Sequence, residues 1–346
     1  MTSRQIKSDI DQRSRPAPQR RASPLALARR LNLDVFGLGL IATVGFSCLL
    51  PVHGAATNVL RVVTQLAIGM MFFLYGVRLP RETVIGGLTH WRLHLLVLAT
   101  TFILFPLMGL ALHEFVPTLL TPDLYNGVLF LCLLPSTVQS SIAFTSIARG
   151  NVAAAICSAS ASNLLGVFLT PLLVALLMAK HGQSVGMSAV LSIAGQLLVP
   201  FIAGQCLRPW LGAWAARHKS LITITDRGSI LLVVYGAFSE AIMMGVWLRL
   251  SPTALGAMAL VDVFLLVLVL AATMIVSRRL GFSREDQIAI VFCGSKKSLA
   301  SGVPMANVLF SASTVGLTVL PLMLFHQIQL MACAALARRY ARRPDQ

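Results

Sequence analysis

The stretch "FCGSKKSLASGVP", Phe292 to Pro304, sets Lys296 and Lys297 side by side inside an apolar run long enough to cross a bilayer. Two ammonium groups at that depth cost roughly 2.5–3.5 kcal/mol each on an insertion scale. A span carrying both is marginal alone, so surrounding protein or a water-filled cavity has to shelter them. Successive helical residues point about 100° apart, and an intact helix cannot aim both lysines at one target. A helix broken at Gly294 and Ser295 can. Two readings stay open from the residues: the lysines snorkel or pair structurally, or they bind an anion or replace a bound ion.

The rest of the chain fits that setting. Of 346 residues, 56% are hydrophobic and 12% charged, more apolar material than one soluble core needs at this length. That composition describes an integral membrane protein whose first partner is the lipid bilayer. Six cysteines, Cys48, Cys132, Cys157, Cys206, Cys293 and Cys333, are scattered through apolar segments without CxxC spacing. They read as small core residues. Soluble-enzyme signatures are absent: the chain has no phosphate-cradling glycine loop, HExxH or GxSxG.

At roughly 20 apolar residues per spanning helix, spans are expected near 33–50, 59–77, 93–116, 125–147, 152–179, 187–207, 228–248, 253–276, 286–310 and 313–336. Residues 1–32 form a polar, Arg-rich arm that reads as disordered, and 338–346 a short tail. The apolar run after the arm is too long for a signal-peptide core. Of the 28 lysines and arginines, 23 fall on the arm, the tail and loops of one side, against Lys180 and Arg249 on the other. Cytoplasmic loops are the enriched ones, so both termini are expected in the cytoplasm, in the inner membrane of a bacterium. The net charge of +16 is then topology and attraction to anionic lipid, and nucleic acid is not an expected partner.

Ten spans divide into two groups of five with opposite orientation, an architecture of secondary transporters whose sites lie at broken helices near the midplane. Span four holds "QSSIA" (Gln139–Ala143) after the breaker Pro135, and span nine holds "KKSLA" (Lys296–Ala300) after Gly294. The polar run "PSTVQSSIAFTS" offers Thr137, Gln139, Ser140, Ser141 and Thr145, and Ser295 and Ser298 flank the lysines. Asn163 in span five is placed to reach the same site. Small hydroxyls also serve ordinary helix packing. Glu240 and Asp262, both expected mid-span, are candidate partners for the lysines, as salt bridges or as proton carriers. Asp34 and Glu114 lie at span ends and are expected to be solvated.

The segments "LLPSTVQSSIAFTSIARGNVAAAI" and "GSKKSLASG" resemble the bile acid:sodium symporter superfamily, in particular its branch related to solute carrier family ten member seven. The resemblance covers residues from about 33 to 337. It implies a panel domain (spans one, two, six and seven), a core domain (spans three to five and eight to ten), and a crossing of broken spans four and nine. It also implies alternating access for organic anions driven by sodium. The site departs from that pattern: Phe292, Lys296 and Lys297 stand where sodium-coupled members carry Glu, Gln and Asn, the Ser–Asn pair of span four lacks its Asn, and Ala155 and Ala159 replace hydroxyl ligands. No cofactor is expected, and the usual ligands of sodium are replaced. The leading expectation is a small-organic-anion transporter in which Lys296 or Lys297 stands where sodium would sit. A sodium-coupled symporter and a non-transporting membrane scaffold are the alternatives.

Overall fold

A computed structural model of the chain describes residues 35–78, 90–115, 120–178, 187–243, 245 and 251–342. The Arg-rich arm, Asp34 and the last four residues of the tail lie outside these residues. Helix is the regular structure throughout them. It runs as α1 (Val35–Leu49), α2 (Ala55–Arg78), α3 (Trp91–Ala99), a π turn (Thr100–Leu104), α4 (Phe105–Ala111), α5 (Pro122–Leu133), α6 (Gln139–Ile147) and α7 (Val152–Leu173). After these come α8 (Met187–Arg217), α9 (Lys219–Met243), α10 (Pro252–Arg279), α11 (Arg284–Gly294), α12 (Leu299–Leu309) and α13 (Ala312–Ala341).

Helix starts follow capping chemistry. Thr121, Asn151, Ser251, Ser283 and Ser298 each accept a backbone N–H three residues on, which satisfies donors that a helix start leaves orphaned. Among the described residues six helices are long and apolar enough to cross a membrane. Large apolar side chains such as Leu66, Leu107, Leu260, Phe264 and Val267 face outward from them. A surface of that kind is solvated by lipid rather than water.

Two expected spans are short helices in series. α5 ends at Leu133 and α6 begins at Gln139; α11 ends at Gly294 and α12 begins at Leu299. Pro135 stops the first pair because it has no N–H to continue the ladder. Glycines on neighbouring helices make room for this break. A Cβ on Gly166 of α7 would stand 2.6 Å from Pro135, and one on Gly302 of α12 would stand 2.5 Å from a Leu134 methyl. Elsewhere α2 and α8 approach backbone to backbone, with Gly76 against the Phe201 carbonyl and Gly204 against that of Phe73.

Span boundaries depart from the sequence expectation in one place. The basic loop expected between residues 207 and 228 is helical, and only His218 interrupts it between α8 and α9. Leu, three Ala and Arg in "LGAWAAR" are good helix formers and outweigh Gly212, so the helix continues past the apolar stretch. α9 ends at Met243, so Glu240, expected mid-span, sits in its last turn. Gly245, at φ 66°, follows as the left-handed residue that closes this helix end. The early start of α9 also brings Asp226 to Arg78 of α2 in an ion pair of 2.6 Å.

Candidate functional site

The two breaks are hydrogen-bonded to each other. Ser298 N–H donates to the Pro135 carbonyl at 2.9 Å, Ser141 Oγ to the Phe292 carbonyl at 3.0 Å, and Ser136 Oγ to the Cys293 carbonyl. A helix end leaves carbonyls without partners, and at bilayer depth no bulk water replaces them. The donors for each broken helix can be followed one by one.

At the end of α5, Leu134 N–H reaches the Leu131 carbonyl and Thr170 Oγ1 donates to Leu133. The Cys132 carbonyl would look to residues 135 and 136, but Pro135 has no N–H and Ser136 N–H donates to Ser162 Oγ. Lys297 fills the gap. Its Nζ donates to the carbonyls of Cys132 at 2.9 Å and Leu134 at 2.7 Å.

The third proton of that ammonium goes to the Thr101 carbonyl at 2.9 Å, which the sequence has freed in a similar way. In the π turn the Phe105 N–H bonds to Thr100, and the next residue, Pro106, has no proton to offer Thr101. All three N–H bonds of Lys297 are therefore spent on backbone oxygens, with the Phe105 ring 4.1 Å from Nζ. Gln329 of α13 clamps the same residue by its backbone, accepting from Lys297 N and donating to Lys297 O, each at 2.9 Å. Carbonyl oxygens gathered around a positive charge are what a hard cation takes as ligands. Here the cation is covalently attached.

Lys296 is held differently. Its Nζ donates once, to the Ser140 carbonyl in the first turn of α6 at 2.9 Å. It lies 4.1 Å from the Phe144 ring and 5.2 Å from that of Phe292, which replaces hydrogen bonds with cation–π attraction. Both lysines are fully buried.

The remaining expected residues fall into three groups. Thr137, Ser140 and Ser141 join through their hydroxyls at 2.8 and 3.0 Å. Asn163 is brought in as well, since Ser298 Oγ donates to Ser301 Oγ and Ser301 Oγ donates to Asn163 Oδ1 at 2.8 Å. Gln139 begins α6 with its side chain exposed, beside this chain of hydroxyls. Thr145 turns back to its own helix, donating to the Ser141 carbonyl, and Ser295 does the same to Val291. Gly294 closes α11 against the methyls of Thr273 and Thr100.

Neither acid pairs with a lysine; the ion pair among the described residues is Arg78–Asp226. The lysines are satisfied by carbonyls instead, a partner that residue types do not reveal. Asp262 is buried in α10 with no donor at either carboxyl oxygen. Glu240 stands elsewhere, in a cavity at the end of α9. Glu114 is exposed, as expected of a helix-end acid. Sequence reasoning missed Thr101, Pro106, Phe105 and Phe144; a proline within an apolar span was the available signal for the first two.

The segment "ARGN" builds a turn rather than a binding surface. Arg149 takes a left-handed φ of 58°, Gly150 lies where a Cβ would meet Ile288 at 2.5 Å, and Asn151 donates through Nδ2 to Asp286 at 2.8 Å. The turn ties α6 and α7 to the start of α11.

Polar helix breaks buried inside a bundle with lipid-facing sides are an architecture that secondary transporters use. The chain belongs to the SBF-like CPA transporter family, which it matches over residues 34–342. It is 59% identical over 313 residues to the Pseudomonas aeruginosa protein PA2026, covering 90% of this chain and 94% of that one. To YfeH of Escherichia coli K12 it is 52% identical, covering 91% and 95%. To sodium/bile acid cotransporter 7 of Xenopus tropicalis it is 29% identical over 318 residues, covering 89% and 91%.

Proposed function

We propose that this protein is a secondary transporter of a small organic anion, working by alternating access, in which covalently attached ammonium groups replace the coupling cation. Its ten spans form two inverted repeats of five, with the broken spans α5–α6 and α11–α12 crossing in a core that moves against a panel of α1, α2, α8 and α9. It lies in a bacterial inner membrane with both termini in the cytoplasm.

The observation that carries this reading is the threefold carbonyl hold on Lys297 Nζ. An ammonium spending every proton on backbone oxygens leaves no vacancy for a sodium ion among those oxygens. The anion is then received beside the lysines, by Gln139, Ser140, Asn163 and the N-terminal ends of α6 and α12, where backbone N–H groups and the helix dipoles favour negative charge. With no sodium to bind, the cycle runs by exchange, by uniport or on protons. Asp262, buried without a partner, is the group assigned to proton handling.

A second reading, sodium-coupled symport, draws support from the Xenopus relative, a protein named as a sodium/bile acid cotransporter. Uptake of candidate organic anions into proteoliposomes separates the two. The expected result is equal flux in sodium and in choline, with flux responding to a proton gradient or to a trans anion. A steep sodium requirement would falsify the substitution of lysine for the ion. Asp262→Asn is expected to remove the response to a proton gradient while leaving anion exchange measurable.

A further inference from the structure

We infer that the chain carries a second ligand site, separate from the helix breaks: a pocket at the end of α9 that takes a small organic cation bearing a primary ammonium group. The cavity is about 230 Å³ and is lined by Val52, His53, Gly54, Thr57 and Leu60 on one side and Gly236, Ser239, Glu240 and Met243 on the other. All of these come from the start of α2 with its preceding loop, or from the last two turns of α9. None belongs to the breaks that hold the lysines.

A buried hydroxyl in its lining, with a second nearby, marks it as unfinished. Ser239 is 2% exposed and its Oγ has no hydrogen-bond partner. Helical serines and threonines commonly spend this hydroxyl on their own backbone, as Ser295, Thr273 and Thr318 do here. Thr64 Oγ1, also buried, is unpartnered too. It stands 3.9 Å from where a Cβ on the lining residue Gly236 would be. Orphaned hydroxyls at two neighbouring positions are uncommon in a folded interior, and they point to a group that arrives from outside.

The chemistry of the lining selects the ligand. Glu240 is half-buried and no hydrogen bond or ion pair among the described residues engages its carboxylate. His53 Nδ1 donates to the Pro51 carbonyl at 2.9 Å, so in the neutral ring Nε2 keeps a lone pair. The carboxylate, that lone pair and the hydroxyls of Ser239 and Thr57 make a set dominated by acceptors. A ligand that completes it brings several N–H donors and a positive charge, as an alkylammonium does. Val52, Leu60 and Met243 supply apolar walls for a short carbon chain. The volume is below that of ordinary drug-sized pockets and suits a group of a few carbons. The loop below is fixed in place by Tyr235, whose hydroxyl donates to the Leu50 carbonyl at 2.8 Å.

The test is calorimetric titration of the purified full-length protein in detergent with n-butylammonium, using n-butanol and butyrate as probes of the same length. Saturable binding of butylammonium alone is expected. Glu240→Gln should weaken it at least tenfold, and Ser239→Ala by a few fold without lowering the melting temperature of the unliganded protein. Thermal melts confirm that each variant is folded. Unchanged affinity in Glu240→Gln, equal binding of butanol, or a linear uptake with no saturation overturns the assignment.

Discussion

The two helix breaks solve one problem with different materials. At the end of α11 the Val291 carbonyl accepts both the N–H and the hydroxyl of Ser295, and the carbonyls of Phe292 and Cys293 are met by hydroxyls from Ser141 and Ser136. At the end of α5 one hydroxyl, from Thr170, serves Leu133, and an ammonium serves Cys132 and Leu134. Hydroxyls are short and each satisfies one oxygen. A lysine reaches across two helices and gathers three. The α11 end is thus stitched by short hydroxyls, whereas at the α5 end one side chain holds two of the freed carbonyls.

That difference predicts very unequal mutational sensitivity. Lys297→Met should have the largest effect, destabilising the protein by ~3–5 kcal/mol, because it strands three buried acceptors at once. A melting temperature in detergent close to wild type would show that the carbonyls find other donors. The shortened variant Lys297→Ala sharpens the point: sodium, but not choline, should raise its melting temperature, while wild type is indifferent to both.

Gly166→Ala comes next, at about 1–3 kcal/mol, since the new methyl meets the rigid ring of Pro135 and one of the two has to move. Gly302→Ala should cost less, as the clash is with leucine methyls that can swing away. Lys296→Met should cost about 1–2 kcal/mol, for one hydrogen bond and two ring contacts. If the proposed function holds, its anion flux falls further than this loss of stability explains. Pro106→Ala should change stability by less than about 1 kcal/mol. The amide it restores can compete for the Thr101 carbonyl, and slow hydrogen exchange at residue 106 would record that competition.

Much of this arrangement is legible in the residues. Pro135 marks one break and the lysine pair marks the other, because a breaker and a charge at bilayer depth have few physical explanations. The identity of the lysine's partners is not legible. Backbone carbonyls carry no residue signature, and an acid such as Asp262 is the natural guess from side chains alone. Helix ends past the apolar stretch are also hidden, since "LGAWAAR" continues α8 on propensity rather than on membrane depth. The end of α9 at Met243 is hidden in the same way, and it sets Glu240 in the last turn beside the pocket.

The three oxygens that hold Lys297 lie 196, 165 and 163 residues before it in the chain. During synthesis the α5 end and the π turn enter the membrane long before their donor exists, and Lys297 enters without acceptors of its own. Each half is therefore an incomplete product until the other arrives. A chain truncated ahead of residue 292 leaves those carbonyls open, and they close only once α11 and α12 have entered.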